Sequence, residues 1–150
     1  MTNLSIETLG VLCELESSPP HSPNFSVLEF ADFSDGARKT LHNDRGWTVG
    51  VLRRLGSAPV DYFGFVAERD LVEAVIDSAY STLLPEDDSD DHDWLRLKWI
   101  LKDMGIEVSA QDLRELPYIV EFGPNLLAKL PPTQAATLPK QISWADYHDY

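Results

Sequence analysis

The sequence predicts an α+β fold in which an N-terminal antiparallel β-sheet packs against C-terminal helices. In the first third of the chain, short segments rich in branched and aromatic residues alternate with turns that contain glycine, proline and asparagine, which is typical of β-strands. From residue 67 onward, apolar residues recur at three- and four-residue spacing, as they do on one face of a helix. The length of 150 residues and the hydrophobic content of 43% suit one domain with its own core.

The predicted strands lie in residues 11–55. The first is 11–16, in which apolar and polar residues alternate towards the end. The second runs from Asn24 to Phe33 and is followed by Ser34-Asp35-Gly36, a hairpin signal because glycine adopts the positive φ of a tight turn. Three further elements follow in order: a returning strand at 37–42, a second turn at 43–46 and another strand at 47–55.

The predicted helices lie in the C-terminal half. Residues 67–84 form the first, with one apolar face and a stop at Pro85. Further along, Gly105 is placed to cap the C-terminus of a second helix, and Ser109 with Asp112 resembles a capping box. The remaining predicted elements are a short helix ending at Leu116, a strand at 118–122, a turn at 123–125 and a brief helix at 126–130.

The second helix, over Asp93–Met104, is predicted to be apolar on two sides. One apolar face consists of Trp94, Leu97, Ile100, Leu101 and Met104. Leu95 and Trp99 project from roughly the opposite side, and Lys98 and Lys102 flank them. Such a helix is either sandwiched inside a core or exposes a contact surface. We favour the sandwiched position, and the contact surface is the alternative.

The end of the chain shows little periodicity beyond Pro131-Pro132. We therefore assign residues 1–130 to a single domain and residues 131–150 to a C-terminal tail. The tail carries Trp144, Tyr147 and Tyr150 among acidic residues. Such aromatic residues suit a docking segment, although termini also pack them back on their own domain.

The net charge of −13 results from 12 Lys and Arg against 25 Asp and Glu. A charge of this sign repels nucleic acid and anionic membranes, so we expect neither as a partner. The acids are unevenly distributed: residues 86–93 contain six acids in eight positions, whereas residues 94–130 balance to zero. Two interpretations remain open, namely that the acidity keeps the protein soluble or that it forms a face for a basic partner.

A search for catalytic and metal-binding patterns finds no complete motif. The acidic run lacks the glycine and the final glutamate of a calcium loop, and the cysteine and histidines are too scattered for a zinc motif. Cys13 lies in a predicted strand, which indicates a small buried hydrophobe. The best candidate for chemistry is the group His42, Asp44 and Arg45, which we interpret as a salt-bridged turn. We predict no catalytic residue, no metal and no cofactor.

Three features of the sequence predict the cellular compartment. The single cysteine excludes an internal disulfide, Met1–Gly10 contains no basic residue or long apolar run, and no stretch approaches the roughly 18 apolar residues of a membrane span. We therefore expect a cytoplasmic protein.

In size, charge and layout the chain resembles small acidic bacterial immunity proteins and antitoxins. The resemblance covers no specific motif, so it assigns no residue. It implies a non-enzymatic module that neutralises a basic, nuclease-like toxin, with carboxylates that steer the partner and aromatic anchors that hold it. We take as candidate partner-binding residues Glu86, Asp87, Asp88, Asp90, Asp91, Leu95, Trp99 and Trp144. The alternatives are an enzyme with a site assembled from distant residues and a homodimeric structural or regulatory subunit, and the oligomeric state stays open.

Overall fold

The structure, a computed structural model, describes residues 5–17, 22–49, 63, 70–85 and 92–144. The strands are β1 (Ile6–Leu15), β2 (Asn24–Phe33), β3 (Arg38–Thr48), β4 (Tyr118–Phe122) and β5 (Lys140–Ile142). The helices are α1 (Leu71–Leu83), α2 (Trp94–Asp103), α3 (Ala110–Glu115), α4 (Pro124–Leu127) and α5 (Pro132–Ala135). The predicted α+β class is confirmed.

Within the described residues, five strands form one sheet in the order β3-β2-β1-β4-β5. β1, β2 and β3 pair antiparallel, as predicted, and Gly36 has a φ of 85° in the β2–β3 hairpin. β4 pairs parallel with β1, so the sheet is mixed. β5 then pairs antiparallel with β4.

The predicted second turn at 43–46 is wrong, because β3 continues through it to Thr48. Gly46 lies opposite Ser26 in the ladder, and a β-carbon at Gly46 would come within 2.3 Å of the Phe25 carbonyl oxygen. The glycine thus allows a close approach between two strands, and register irregularities lie nearby between Val27 and Phe30. Of the strand predicted at 47–55, only the first two residues belong to β3, and residues 50–55 lie outside the described part.

One face of the sheet packs against the helices. On β1, every second residue from Leu9 to Cys13 is fully buried. α1 contributes its predicted apolar face and ends before Pro85, and Asp70 caps its N-terminus; residues 67–69 lie outside the described part. Burial raises the pKa of the Cys13 thiol to about 12, which agrees with its predicted role as a small buried hydrophobe.

Short-range capping signals are confirmed in the second half of the chain. Gly105 follows α2 with a φ of 86°, and Ser109 and Asp112 form a reciprocal capping box at the start of α3. The strand predicted at 118–122 is β4. The turn predicted at 123–125 is instead the start of α4, since Pro124 occupies the first helical turn, where its missing N–H costs nothing.

Residues 131–144 are part of the domain, and the prediction of a tail from residue 131 is wrong for them. Gln134 of α5 accepts a hydrogen bond from the Leu71 N–H at 2.7 Å, and Lys140 of β5 pairs with Glu73 at 2.7 Å. Trp144 is 1% exposed. This segment therefore completes both the sheet and the core, although it lacks the periodicity from which a helix or a long strand is predicted.

Candidate functional site

α2 exposes an apolar face. Leu95 is 58% exposed, Trp99 52% and Met104 39%, and they are the exposed large hydrophobic residues of the described chain. The opposite side of the helix, represented by Leu97 and Leu101, is buried in the core. The favoured prediction of a sandwiched helix is therefore wrong, and the alternative of an exposed surface agrees with the structure. We call Leu95 and Trp99 the α2 face; Met104, at the C-terminal end of the helix, lies on the side of Leu97.

Two lysines frame the indole of Trp99. The Lys98 and Lys102 ammonium groups lie 5.6 Å and 4.9 Å from its ring centroid, within the range of a cation–π interaction. Because Leu97 and Leu101 fix the helix from the other side, the α2 face is presented on a rigid element. A rigid aromatic side chain loses little conformational entropy on binding, which is what a binding anchor requires.

Two grooves lie beside the C-terminal end of α2. The first, of about 410 Å³, runs between α2 and α3 and includes Lys98 and Lys102 in its lining. The second, of about 570 Å³, lies between the end of α2, the start of β1 and α3, and we call it the α2–β1 groove. Its lining consists of Ser5, Ile6, Met104, Gly105, Ile106, Glu107, Val108, Asp112, Leu113 and Leu116.

The side chain of Trp144 is buried, so the prediction that it is a partner-binding anchor is wrong. Its indole stacks on Tyr80, with ring centroids 4.9 Å apart, and meets the Tyr118 ring edge-on at 5.3 Å. Burial of so large an aromatic surface stabilises the fold instead of leaving it for a partner. The burial of Trp144 could not be predicted from the sequence, because the segment around it shows no hydrophobic periodicity.

The five acids predicted to steer the partner, Glu86, Asp87, Asp88, Asp90 and Asp91, lie outside the described residues. The described chain resumes with His92 and Asp93. Asp93 caps α2 by accepting a hydrogen bond from the Arg96 N–H at 3.3 Å. The acidic run thus ends in sequence directly before the helix that presents Leu95 and Trp99.

A buried polar cluster lies on the opposite side of the helix from the α2 face. The Glu29 carboxylate Oε2 accepts hydrogen bonds from His92 Nε2 at 3.1 Å and from the Tyr118 hydroxyl at 2.9 Å. Glu29 is only 6% exposed, and His92 and Tyr118 are 2% exposed. The aromatic rings of Trp94 and Trp144 also lie against His92. Three parts of the chain distant in sequence therefore meet at one carboxylate.

The environment of the cluster fixes the charge of Glu29. Burial raises the pKa of its carboxyl, but the charge and hydrogen bond of His92 and the hydrogen bond of Tyr118 outweigh burial, so the pKa lies below its ordinary value of 4.5. Burial and the neighbouring carboxylate hold the pKa of Tyr118 well above 10.0. Glu29 is therefore ionised at neutral pH, and Tyr118 is a neutral donor.

The cluster has no room for a substrate. The void beside Glu29 measures about 10 Å³, which is no more than a water molecule needs. The side chains that line it are Glu29, His42, Arg45, Asp93, Arg96, Leu97 and Ile100. Small-molecule sites are many times larger. We therefore interpret Glu29, His92 and Tyr118 as a structural network.

The structure describes two of the three side chains of the predicted salt-bridged turn, and both contact other elements. Arg45 donates to the carbonyl oxygens of Thr82 and Leu84 at the end of α1, at 3.1 and 3.3 Å, and His42 accepts from Arg96 at 3.0 Å. Nearby on the same strand, Arg38 forms an ion pair with Asp32 of β2 at 2.7 Å. The side chain of Asp44 lies outside the described part.

The buried carboxylate of Glu29 was not predicted from the sequence. β2 buries its odd-numbered residues, and Glu29 is the one acid among Phe25, Val27, Ala31 and Phe33. An acid at an inward position of an alternating strand requires a buried partner. That break in the pattern was the available signal, although nothing in it identifies His92 as the partner.

The described residues contain no group of three or more His, Cys, Asp or Glu side chains that could hold a metal ion. None of the helices in the described ranges combines the length and the apolarity that a bilayer crossing requires. No family model matches the chain, and neither a curated protein nor a solved structure matches it.

Proposed function

We propose that this chain is a non-enzymatic binding protein that docks a basic protein on the α2 face, in the manner of an immunity protein that neutralises a toxin. The observation that supports this most is Trp99, which is 52% exposed on a helix whose other side is buried. Tryptophan is among the residues most enriched at the energetic centre of protein interfaces. An indole left half in water on a rigid helix therefore favours a partner that covers it.

The charge pattern favours a basic partner. Residues 94–130, which include α2, the first groove and all of the α2–β1 groove except Ser5 and Ile6, carry balanced charges, and the net −13 belongs to the rest of the chain. A nearly neutral contact surface avoids the desolvation of many charges, while the surrounding field attracts a cationic protein from a distance. In this proposal the acids from Glu86 to Asp91 accelerate association, and the α2 face supplies the affinity.

A second copy of the chain fits the α2 face less well. Lys98 and Lys102 lie on the same flank of Leu95 at 100° per residue. A two-fold interface uses the same patch of both copies, so an antiparallel pair of α2 helices would bring these lysines against their counterparts. Two chains of net charge −13 also repel each other.

Site-specific photocrosslinking identifies the partner and tests the proposal. We expect a photoreactive phenylalanine analogue at position 95 to capture a basic protein in cells, because that position would lie inside the interface. The same analogue at position 40, where Thr40 is exposed on β3, is the matched control and should not capture it. Equal capture at both positions, or capture of acidic proteins only, would contradict the proposal.

Once the partner is purified, association and dissociation rates should separate the two proposed roles. We expect Trp99→Ala to speed dissociation and to weaken binding by about 2 kcal/mol, roughly 30-fold, because it removes the anchor. Neutralising Glu86, Asp87, Asp88, Asp90 and Asp91 should mainly slow association and flatten its dependence on salt. Surface plasmon resonance at several ionic strengths measures both effects.

The control for these kinetics is the stability of the variants. Trp99→Ala should change the free energy of unfolding by no more than about 0.5 kcal/mol, since its side chain is largely in water. Thr40→Ala provides the matched exposed substitution and should leave both rates unchanged. If Trp99→Ala unfolds the protein, the indole is part of the core and the α2 face is not the docking surface.

A further inference from the structure

The α2–β1 groove pairs an apolar lining with charges of a single sign. Its apolar side chains come from the start of β1, the end of α2 and α3, for example Ile6, Met104 and Leu116. The charged residues in its lining are Glu107 and Asp112, both acidic. An aliphatic side chain would leave the carboxylates without a cationic partner, and a small cation would make no apolar contact with the lining. An arginine or lysine side chain matches both features, because its stem is apolar and its end is cationic.

Glu107 is available for a cationic group. It is exposed. Within the described residues, its carboxylate takes part in no hydrogen bond or ion pair. Asp112 is held in place, since its Oδ2 accepts the Ser109 N–H in the capping box at 3.3 Å. One carboxylate is thus fixed and the other is free to adjust around a ligand.

The groove adjoins the surface on which the partner is proposed to dock. The Lys102 ammonium lies 4.9 Å from the centroid of the Trp99 ring, and Lys102 lines the first groove. The two grooves share Ile106, Glu107, Val108 and Asp112. One partner can therefore cover Trp99 and reach Glu107 at the same time.

We infer that the α2–β1 groove receives an arginine or lysine side chain of the basic partner, with the stem against Ile6 and Met104 and the charged end at Glu107 and Asp112. The inference rests on the proposed function, and it assigns the recognition of a basic residue to this groove. A planar guanidinium can donate to two carboxylates at once, so arginine is the better of the two occupants. Glu107 and Asp112 disfavour an acidic side chain in the groove, because like charges repel.

Amide NMR spectra with a capped peptide test the groove without the partner. The probe is acetyl-Gly-Leu-Arg-Gly-amide, titrated to millimolar concentration. We expect saturable shifts at Gly105, Glu107 and Val108. The same peptide with glutamate in place of arginine should give no saturable shifts at these residues. Glu107→Gln should weaken binding of the arginine peptide about threefold or more, in line with the loss of an exposed charged pair.

Glu115→Gln is the matched control, because Glu115 is exposed on the same helix as Asp112 and does not line the groove. It should leave the affinity for the peptide unchanged. Shifts that spread over acidic residues across the surface without saturation would overturn the inference, as would equal binding of the glutamate peptide or equal loss in the two variants.

The outcomes separate this inference from the proposed function. If a basic protein crosslinks at position 95 but the arginine peptide does not bind in the groove, the groove assignment fails and the proposed function stands. If the peptide binds as expected but no basic protein crosslinks at position 95, the proposed function fails and the site for a basic side chain stands.

Discussion

Replacing Glu29 with leucine is expected to destabilise the protein by about 3–5 kcal/mol, although leucine is apolar and the position is buried. The substitution leaves His92 and the Tyr118 hydroxyl without the carboxylate that accepts their hydrogen bonds at 3.1 and 2.9 Å. Removal of the carboxylate costs this much because two buried donors lose their acceptor while they stay out of water, at about 1–3 kcal/mol each. Urea denaturation monitored by circular dichroism measures the difference.

A multiple variant provides the control for this result. Glu29→Leu combined with His92→Phe and Tyr118→Phe removes all the polar members together, and it should recover much of the loss. Exposed Glu115→Leu should change the free energy of unfolding by no more than about 0.5 kcal/mol. If Glu29→Leu alone is as stable as the wild type, the buried network contributes nothing and our interpretation of it is wrong.

The same pair predicts a dependence on pH. The pKa of Glu29 lies below its ordinary value of 4.5, so the folded state binds the proton less readily than the unfolded chain. The stabilisation is therefore fully present above about pH 4.5 and is lost as the pH falls through the lowered pKa. The stability difference between the wild type and Glu29→Gln should shrink below pH 4.5, and a constant difference down to pH 2 would contradict this.

Replacing Trp144 with alanine is expected to cost about 3–5 kcal/mol, which is the usual loss for a buried tryptophan. The indole is 1% exposed and contacts Tyr80, Tyr118 and His92. Its removal leaves a cavity where α1, β4 and the segment after β5 meet. Thermal and urea denaturation measure the loss.

Trp99→Ala is the matched comparison, because the same substitution is made at an exposed position. Trp144→Phe should retain part of the stability, since it keeps an aromatic ring against Tyr80. If residues 131–144 were a tail, Trp144→Ala and Trp99→Ala would have equally small effects on unfolding. That result would contradict the packing described above.

Elements with local causes were predictable from the residues alone. The hairpin at Gly36, the capping box of Ser109 and Asp112, the end of α2 at Gly105 and the strand at 118–122 each depend on a few neighbouring residues. Backbone sterics and short-range hydrogen bonds act within a turn of chain, so their residue patterns can be recognised without any tertiary information.

Which surfaces are covered depends on contacts between distant parts of the chain. Trp99 and Trp144 are the same residue type, yet one is half exposed and the other buried, because exposure depends on what distant segments place over each ring. The parallel pairing of β4 with β1, the buried position of residues 131–144 and the meeting of Glu29 with His92, 63 residues away, have the same origin. Long-range contacts form where complementary surfaces meet in space, and a single sequence does not state which of its apolar faces will find a partner within the fold.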